Sequence, residues 1–164
     1  MDKLAENGGE DNGNFGFAAI PVPAGCYSIL LARLQGQESS PPFFVTRDEL
    51  SKKVQSSSSA YLLSALALVD ALLERKEDAN RKIENAVSML PIEKDPLDGP
   101  CVLANTAVVH AWTGAIDKAF SELEVLAKIP RGVYYGQLKK DPLWDPLRKD
   151  PRFDKLLAEL APTG

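Results

Sequence analysis

A 40-residue internal repeat is the feature that most restricts the fold of this chain. When the sequence is shifted against itself by 40 residues, small and apolar residues fall on one another over two long segments. Units of this length cannot each bury an apolar face alone, so neighbouring units are expected to stack. The matched pairs are Leu63 with Leu103, Ala67 with Ala107, Ala71 with Ala111, Ala79 with Ala119, Ile83 with Leu123, Glu84 with Glu124 and Ala86 with Leu126.

Helical periodicity runs through both copies of the repeat. One apolar stripe consists of Ile116, Ala119, Phe120, Leu123 and Leu126, and the other of Ala79, Ile83, Ala86, Val87 and Leu90. This spacing places each stripe on one helix face, and no alternating strand pattern of useful length occurs. Helix boundaries are predicted at the capping-box pattern Thr46–Glu49, at the serines of 56–59, at Pro91, at 98–100 and at Gly114. The sequence therefore predicts an all-α fold of helix hairpins.

The first complete hairpin has an ordered series of small, aliphatic and proline residues. Its members are Ala79, Ile83, Ala86 and Pro91. This series resembles the tetratricopeptide repeat, and the second copy resembles it more loosely, with Leu126 and Pro130 at the last two positions. The segment 91–100 lengthens one connection beyond the usual spacing of that family. The resemblance implies a right-handed superhelix of about three stacked antiparallel hairpins, a tetratricopeptide-like α-solenoid.

The domain organisation follows from the repeats and from composition. We predict a flexible acidic leader at 1–14, a single helical repeat domain at 15–164 with repeats at about 24–56, 57–91 and 98–130, and a C-terminal cap at 139–162. In the cap, three Asp-Pro pairs, at 141–142, 145–146 and 150–151, are expected to start helical turns, because aspartate caps a helix and proline suits its first position. This ending also resembles the C-terminal repeat arrays of large bacterial signalling and regulatory proteins.

Composition and charge exclude several classes of protein. An apolar fraction of 45% argues against disorder, and 19 basic against 23 acidic residues argue against a protein that coats nucleic acid. The basic run 128–155 also contains four aspartates, so no nucleic-acid binding is expected. The apolar run 60–69 is too short to span a bilayer, and the acidic start does not fit a lipoprotein signal ending at Cys26. A cytoplasmic protein without membrane contact is expected.

Catalytic and metal-binding residues are scarce. The chain has one histidine, His110, and two cysteines, Cys26 and Cys101, which is too few for a histidine and cysteine metal site. Cys101 and His110 are nine residues apart on one predicted helix, which separates them by about 13 Å at 1.5 Å per residue. His110 occupies the position equivalent to Asp70, so we interpret it as a packed polar residue. No enzyme activity, metal or cofactor is expected.

With catalysis, nucleic-acid binding and membrane contact not expected, binding of another protein through the shape of a surface is the function class that remains. In a stack of hairpins the first helices line the inner wall of the curve. The side chains expected to face that groove are Leu30, Arg33, Tyr61, Ser64, Leu68, Ala71, Cys101, Ala104, Asn105, Val108 and Trp112. This surface is largely apolar and resembles the peptide-binding groove of the repeat family. It lacks the Lys/Asn cluster with which chaperone-binding members hold a peptide carboxylate.

Two functions fit this groove. The first is a non-catalytic scaffold or adaptor module that binds a peptide, a partner helix or a second copy of the chain in the apolar groove. The second is a regulatory, dimerising or ligand-sensing C-terminal domain of a larger kinase, cyclase or transcription regulator. In the second case the groove would be closed by the chain's own leader, for which the apolar segment 15–23 is suited.

Overall fold

The described part of the protein is entirely helical. The computed structural model describes residues 41–130 and 132–162, which form seven α-helices and one 3-10 helix, with no strand among them. The α-helices are α1 (Pro41–Ser56), α2 (Ala60–Leu72), α3 (Lys76–Met89), α4 (Gly99–Thr113), α5 (Ile116–Leu126), α6 (Tyr135–Lys140) and α7 (Pro151–Leu160), and the 3-10 helix is Pro142–Leu147. The all-α prediction is confirmed for these residues. The predicted leader and the first helix of the first repeat lie outside them.

Two helix hairpins form the centre of the structure. Helices α2 and α3 pack together as one hairpin, and α4 and α5 pack together as the other. The hairpins join because α4 contacts both α2 and α3, while α1 packs on α2 and the 3-10 helix packs on α4. One continuous cluster of buried apolar side chains runs from Leu50 of α1 to Leu156 of α7. A second, smaller cluster is formed by Ala60, Ala86 and Val102, near the starts of α2 and α4 and the end of α3.

The segment 42–55, the partner helix that the sequence predicts for the first repeat, forms α1 (Pro41–Ser56), although its start differs from one boundary signal. The capping-box pattern Thr46–Glu49 does not begin a helix, because α1 begins five residues earlier at Pro41. Prolines are tolerated in a first helical turn, where the backbone N–H that they lack would have no partner inside the helix. The pair Pro41 and Pro42 therefore allows the helix to start before the capping-box residues.

Both hairpins turn through the same backbone hydrogen bonds. The amide of Arg75 donates to the carbonyl of Asp70 at 2.8 Å, and 40 residues later the amide of Ala115 donates to the carbonyl of His110 at 2.8 Å. A bond across six residues at the end of a helix is typical of a turn with one left-handed residue. The sequence repeat is thus also a repeat of backbone geometry.

The left-handed residue occupies the same repeat position in both turns. It is Glu74 in the first hairpin, with φ of 61°, and Gly114 in the second, with φ of 93°. Glycine adopts this conformation without the clash that a Cβ atom brings. Because a Cβ built on Gly114 meets no atom within 4 Å, the backbone angle is the reason for glycine there.

We predict that Gly114→Ala lowers the free energy of unfolding by about 1–2 kcal/mol, the cost of a left-handed residue that has a Cβ. Gly136→Ala is the matched control, because a Cβ at Gly136 also meets nothing within 4 Å but no left-handed φ is required there. Urea unfolding of both variants measures the difference. Equal stability of the two variants would contradict this account of the turn.

The Asp-Pro pairs of the C-terminal segment behave in two ways. Asp141 accepts a hydrogen bond from the amide of Leu143, and Asp150 accepts one from the amide of Arg152, both at 3.0 Å, so these two aspartates cap helices as predicted. The third prediction is wrong, because Pro146 lies inside the 3-10 helix and Asp145 instead accepts from Nε of Arg148. The 3-10 helix runs without interruption from Pro142 to Leu147. Asp145 and Pro146 therefore lie within it and do not start a new helix.

The cap at Asp150 makes the last helix sensitive to acid. The Arg152 side chain, and next its backbone amide, hold the pKa of Asp150 at about 2, below the ordinary value of 3.8. A lowered pKa stabilises the fold above the unfolded-state value, and that stabilisation is lost as the pH falls from about 4 towards about 2.

We therefore expect the melting temperature of Asp150→Ala to fall less steeply than that of the wild type between pH 4 and pH 2. The two curves should be parallel above pH 5, with the variant lower. Thermal unfolding followed by circular dichroism measures this, with Asp154→Ala as a control that removes a carboxylate from the same turn but leaves the cap. Identical acid profiles for the wild type and Asp150→Ala would exclude this role of the cap.

Candidate partner-binding site

The predicted groove residues lie on α2 and α4, which are neighbours. A polar link joins the two helices, because Nδ2 of Asn105 donates to Oγ of Ser64 at 2.9 Å. The Ser64 hydroxyl in turn donates to the backbone carbonyl of Tyr61 at 2.8 Å. Oδ1 of Asn105 is buried and has no hydrogen-bond partner. The structure thus brings together Ser64 and Asn105, which the sequence had placed on separate repeats of one surface.

Most of the predicted groove residues are buried. Ser64, Leu68, Asn105 and Val108 are 0% exposed, Ala71 is 1% exposed and Ala104 is 6% exposed. The expectation that these six line an open wall is therefore corrected. The physical reason is that the runs 64–72 and 104–111 are buried at every position, so no face of either helix is left to solvent. Leu30 and Arg33 lie outside the described residues.

Because Leu68 and Val108 are buried, substituting them cannot test whether the predicted groove binds a partner. A glutamate at Leu68 or Val108 would place a charge in the core, where it finds no counter-charge among these apolar neighbours. Such variants would unfold the protein and so could not report on a surface. Whether these residues contact a partner stays a prediction.

Tyr61, Cys101 and Trp112 are the predicted groove residues in the described part of the chain that keep partial exposure. Trp112 points towards the C-terminal segment, where its indole Nε1 donates to the carbonyl of Leu143 at 2.8 Å. This bond fastens the 3-10 helix to α4. Tyr61 is the second residue of α2, and it lies near the other end of the hairpins, where α4 also begins.

A cavity of about 540 Å³ opens at the starts of α2 and α4. We call it the edge cavity, and its lining residues are Ser58, Ser59, Ala60, Tyr61, Met89, Leu90, Asp98 and Cys101. Sequence reasoning assigned Tyr61 and Cys101 to the partner-facing surface and missed the other six, which are Ser58, Ser59, Ala60, Met89, Leu90 and Asp98. The sequence contained an indirect signal for these residues. The serines of 56–59 and the turn at 98–100 both mark helix starts, and stacked repeats bring equivalent helix starts to the same end of the structure.

His110 and Asp70 occupy equivalent repeat positions and are both paired. The carboxylate of Asp70 accepts from Nζ of Lys82 at 2.6 Å, and Nδ1 of His110 lies 2.8 and 3.0 Å from the two carboxylate oxygens of Glu122. In both hairpins the partner lies 12 residues further along, on the second helix. The carboxylate lies on the first helix in one hairpin and on the second helix in the other. His110 is 7% exposed, which fits the interpretation as a packed polar residue.

The Asp70 carboxylate also joins a third helix to the first hairpin. It is 0% exposed and accepts from Nε of Arg47 on α1 at 2.5 Å, and Nε of Arg75 lies 3.6 Å away. Arg47 and Lys82 are each less than one-fifth exposed. Removing the carboxylate would leave these two cations with little access to water and no counter-charge, which is the costly way to break a buried ion pair.

Asp70→Ala is expected to lower the free energy of unfolding by about 3 kcal/mol, at the lower end for a broken buried pair because its cations reach some water. Asp78→Ala is the control, since Asp78 also binds two arginines, Arg75 and Arg81, but at the surface, where ion pairs contribute little. Chemical denaturation of both variants makes the comparison. A loss at Asp70 no greater than that at Asp78 would contradict the buried network.

Metal binding and membrane insertion find no support in this part of the chain. Across residues 41–130 and 132–162, no group of three His, Cys, Asp or Glu side chains is arranged to hold a metal ion. None of the helices that the structure describes combines the length and apolar character needed to cross a bilayer. Comparison of the chain with protein-family models, with curated proteins and with solved structures found no match.

Proposed function

We propose that this protein is a non-catalytic protein-interaction module of the cytoplasm, built as a tetratricopeptide-like α-solenoid. The observation that carries the proposal is that the two hairpins have the same turn geometry and a polar side-chain pair at the same position. They share the 40-residue offset, the turn hydrogen bonds and the placement of the buried pairs at Asp70 and His110. Stacked hairpins of this kind act by offering an extended surface to a peptide or a partner helix.

The edge cavity is the part of this surface that we assign to the partner. Its wall combines apolar side chains with hydroxyl groups, and Met89 at its rim is 45% exposed. An exposed methionine beside a concave, partly apolar surface suits the binding of an apolar side chain, because its flexible thioether adapts to different shapes. In this proposal a peptide or partner helix inserts an apolar residue between the starts of α2 and α4.

A photo-reactive amino acid at position 89 provides the first test. We expect it to cross-link the full-length chain to a distinct protein, which mass spectrometry then identifies. Met89→Arg should weaken binding of that partner at least about tenfold, because the contact would then bury a charged guanidinium in place of an apolar side chain. Isothermal titration of the purified pair measures the change.

Val125 provides the matched control. It is 44% exposed, close to the value for Met89, but it lies on α5 away from the edge cavity. Val125→Arg should leave partner binding unchanged, and both variants should keep the helical circular dichroism of the wild type. Equal weakening by the two variants, or no partner cross-linked at position 89, would overturn the assignment.

A second function has one specific observation in its favour. The burial of Ser64, Leu68, Ala71, Ala104, Asn105 and Val108 suits a groove that the chain itself fills, as in a regulatory, dimerising or ligand-sensing C-terminal domain of a larger kinase, cyclase or transcription regulator. The same photo-reactive residue separates the two functions. Cross-links confined within one chain favour the self-filled groove, whereas an adduct with a different protein favours the interaction module.

A further inference from the structure

A second concave surface lies between α5 and α7 and shares no lining residue with the edge cavity. It is a cleft of about 650 Å³. We call it the α5–α7 cleft, and it is lined by Phe120, Glu124, Ala127, Lys128, Arg152, Lys155, Leu156, Glu159 and Leu160. Phe120 and Leu156 are buried at its floor, while Ala127 and Leu160 keep part of their surface in water. Its position makes it independent of the function proposed above.

The two helices that form the walls run in the same direction. At their starts, the Arg152 guanidinium binds the Asp117 carboxylate at 2.8 Å and lies 4.3 Å from the centre of the Phe120 ring. At their other ends, Lys128 and Glu159 line the same cleft. Arg152 therefore bridges the cleft at one end, and the walls extend from it side by side.

Four charged residues on these walls form a checkerboard. One turn beyond the Arg152–Phe120 contact, Glu124 lies on the α5 wall and Lys155 on the α7 wall. Further along, the signs are exchanged, with Lys128 in the turn that directly follows α5 and Glu159 one turn further on the α7 wall. All four side chains are exposed, and none forms an ion pair with another described residue.

A checkerboard of charge is complementary to itself. In a two-fold dimer the same patch on both copies must match, so each charge has to meet its opposite. Rotation about an axis across the helices brings Glu124 to Lys128 and Lys155 to Glu159 of the second copy. Rotation about an axis along the helices brings Glu124 to Lys155 and Lys128 to Glu159. Either arrangement places four opposite-sign pairs in the interface.

We propose that the α5–α7 cleft is an interface between two copies of this chain. The second copy covers Ala127 and Leu160, and it supplies counter-charges to Glu124, Lys128, Lys155 and Glu159, which form no ion pair with the described residues of their own chain. Two helices of this length present a face about 16 Å long and about 20 Å wide. Such a face is smaller than that of a permanent dimer, so the association is reversible and depends on concentration and salt.

Sedimentation equilibrium of the full-length protein tests the association. The weight-average mass is expected to rise towards that of a dimer as the concentration increases through about 10 to 500 μM, a range suited to a small interface. The rise should shrink in about 0.5 M salt, because screening weakens exposed charge pairs. A monomer mass at every concentration in low salt overturns the proposal.

Charge reversal tests whether this face forms the interface. The all-acidic variant Lys128→Glu/Lys155→Glu and the all-basic variant Glu124→Lys/Glu159→Lys should each associate at least about tenfold more weakly, because like charges then meet. When the two variants are mixed in equal amounts, the dimer should return as a mixed pair. Failure of the mixture to associate more strongly than either variant alone overturns the assignment of the face.

Lys52→Glu/Lys53→Glu on α1 is the control for net charge. It lowers the formal charge from −4 to −8, as does the all-acidic variant, since each of the two substitutions subtracts two charges. Association of this control should match that of the wild type at equal salt. If the control dissociates as readily as the all-acidic variant, general charge repulsion explains the effect and the proposal fails. Circular dichroism and melting curves confirm that each variant is folded.

Discussion

The packing of α2 against α4 is the contact on which the rest of the structure depends. Small residues occupy the centres of both helices, and Ala67, Ala71, Ala107 and Ala111 are at most 3% exposed. Alanines let two helices approach closely, and all four belong to the same buried apolar cluster. Most other elements attach to this pair: α1 and α3 to the first helix, and α5 and the 3-10 helix to the second, while α6 and α7 pack on each other. Covered in this way, α2 and α4 are buried at every position of 64–72 and 104–111.

Polar pairs inside the hairpins repeat in position, but the carboxylate of the pair changes from the first helix to the second. A carboxylate on α2 meets a lysine on α3, whereas an imidazole on α4 meets a carboxylate on α5. The common requirement is a polar pair that ties the first helix of a hairpin to the second, because a buried charge needs a partner whichever sign it has. The single histidine of the chain is accounted for by this requirement. Its isolation in the sequence therefore gives no argument for catalysis.

The surfaces left for binding lie at the ends of the hairpins. The edge cavity gathers side chains from the starts of α2 and α4 and from the end of α3, and the α5–α7 cleft separates two helices that touch mainly through Arg152. One surface is partly apolar and carries an exposed methionine, and the other carries a balanced pattern of charge. This difference suits a foreign partner at the first surface and a second copy of the chain at the second.

Helical periodicity and the 40-residue repeat were sufficient to predict the helix class and the positions of the helices from α2 to α5, because each depends on residues close together along the chain. The burial of Leu68 and Val108 was not predictable in this way. One helix face can be assigned to the core from spacing, but whether the opposite face stays in water depends on distant segments that pack over it. The edge cavity, the Ser64–Asn105 bond and the α5–α7 checkerboard likewise join residues from different helices. Local pattern determined the elements, and only tertiary packing decided which of their faces meet water, since burial is a property of neighbours that the spacing within one helix does not contain.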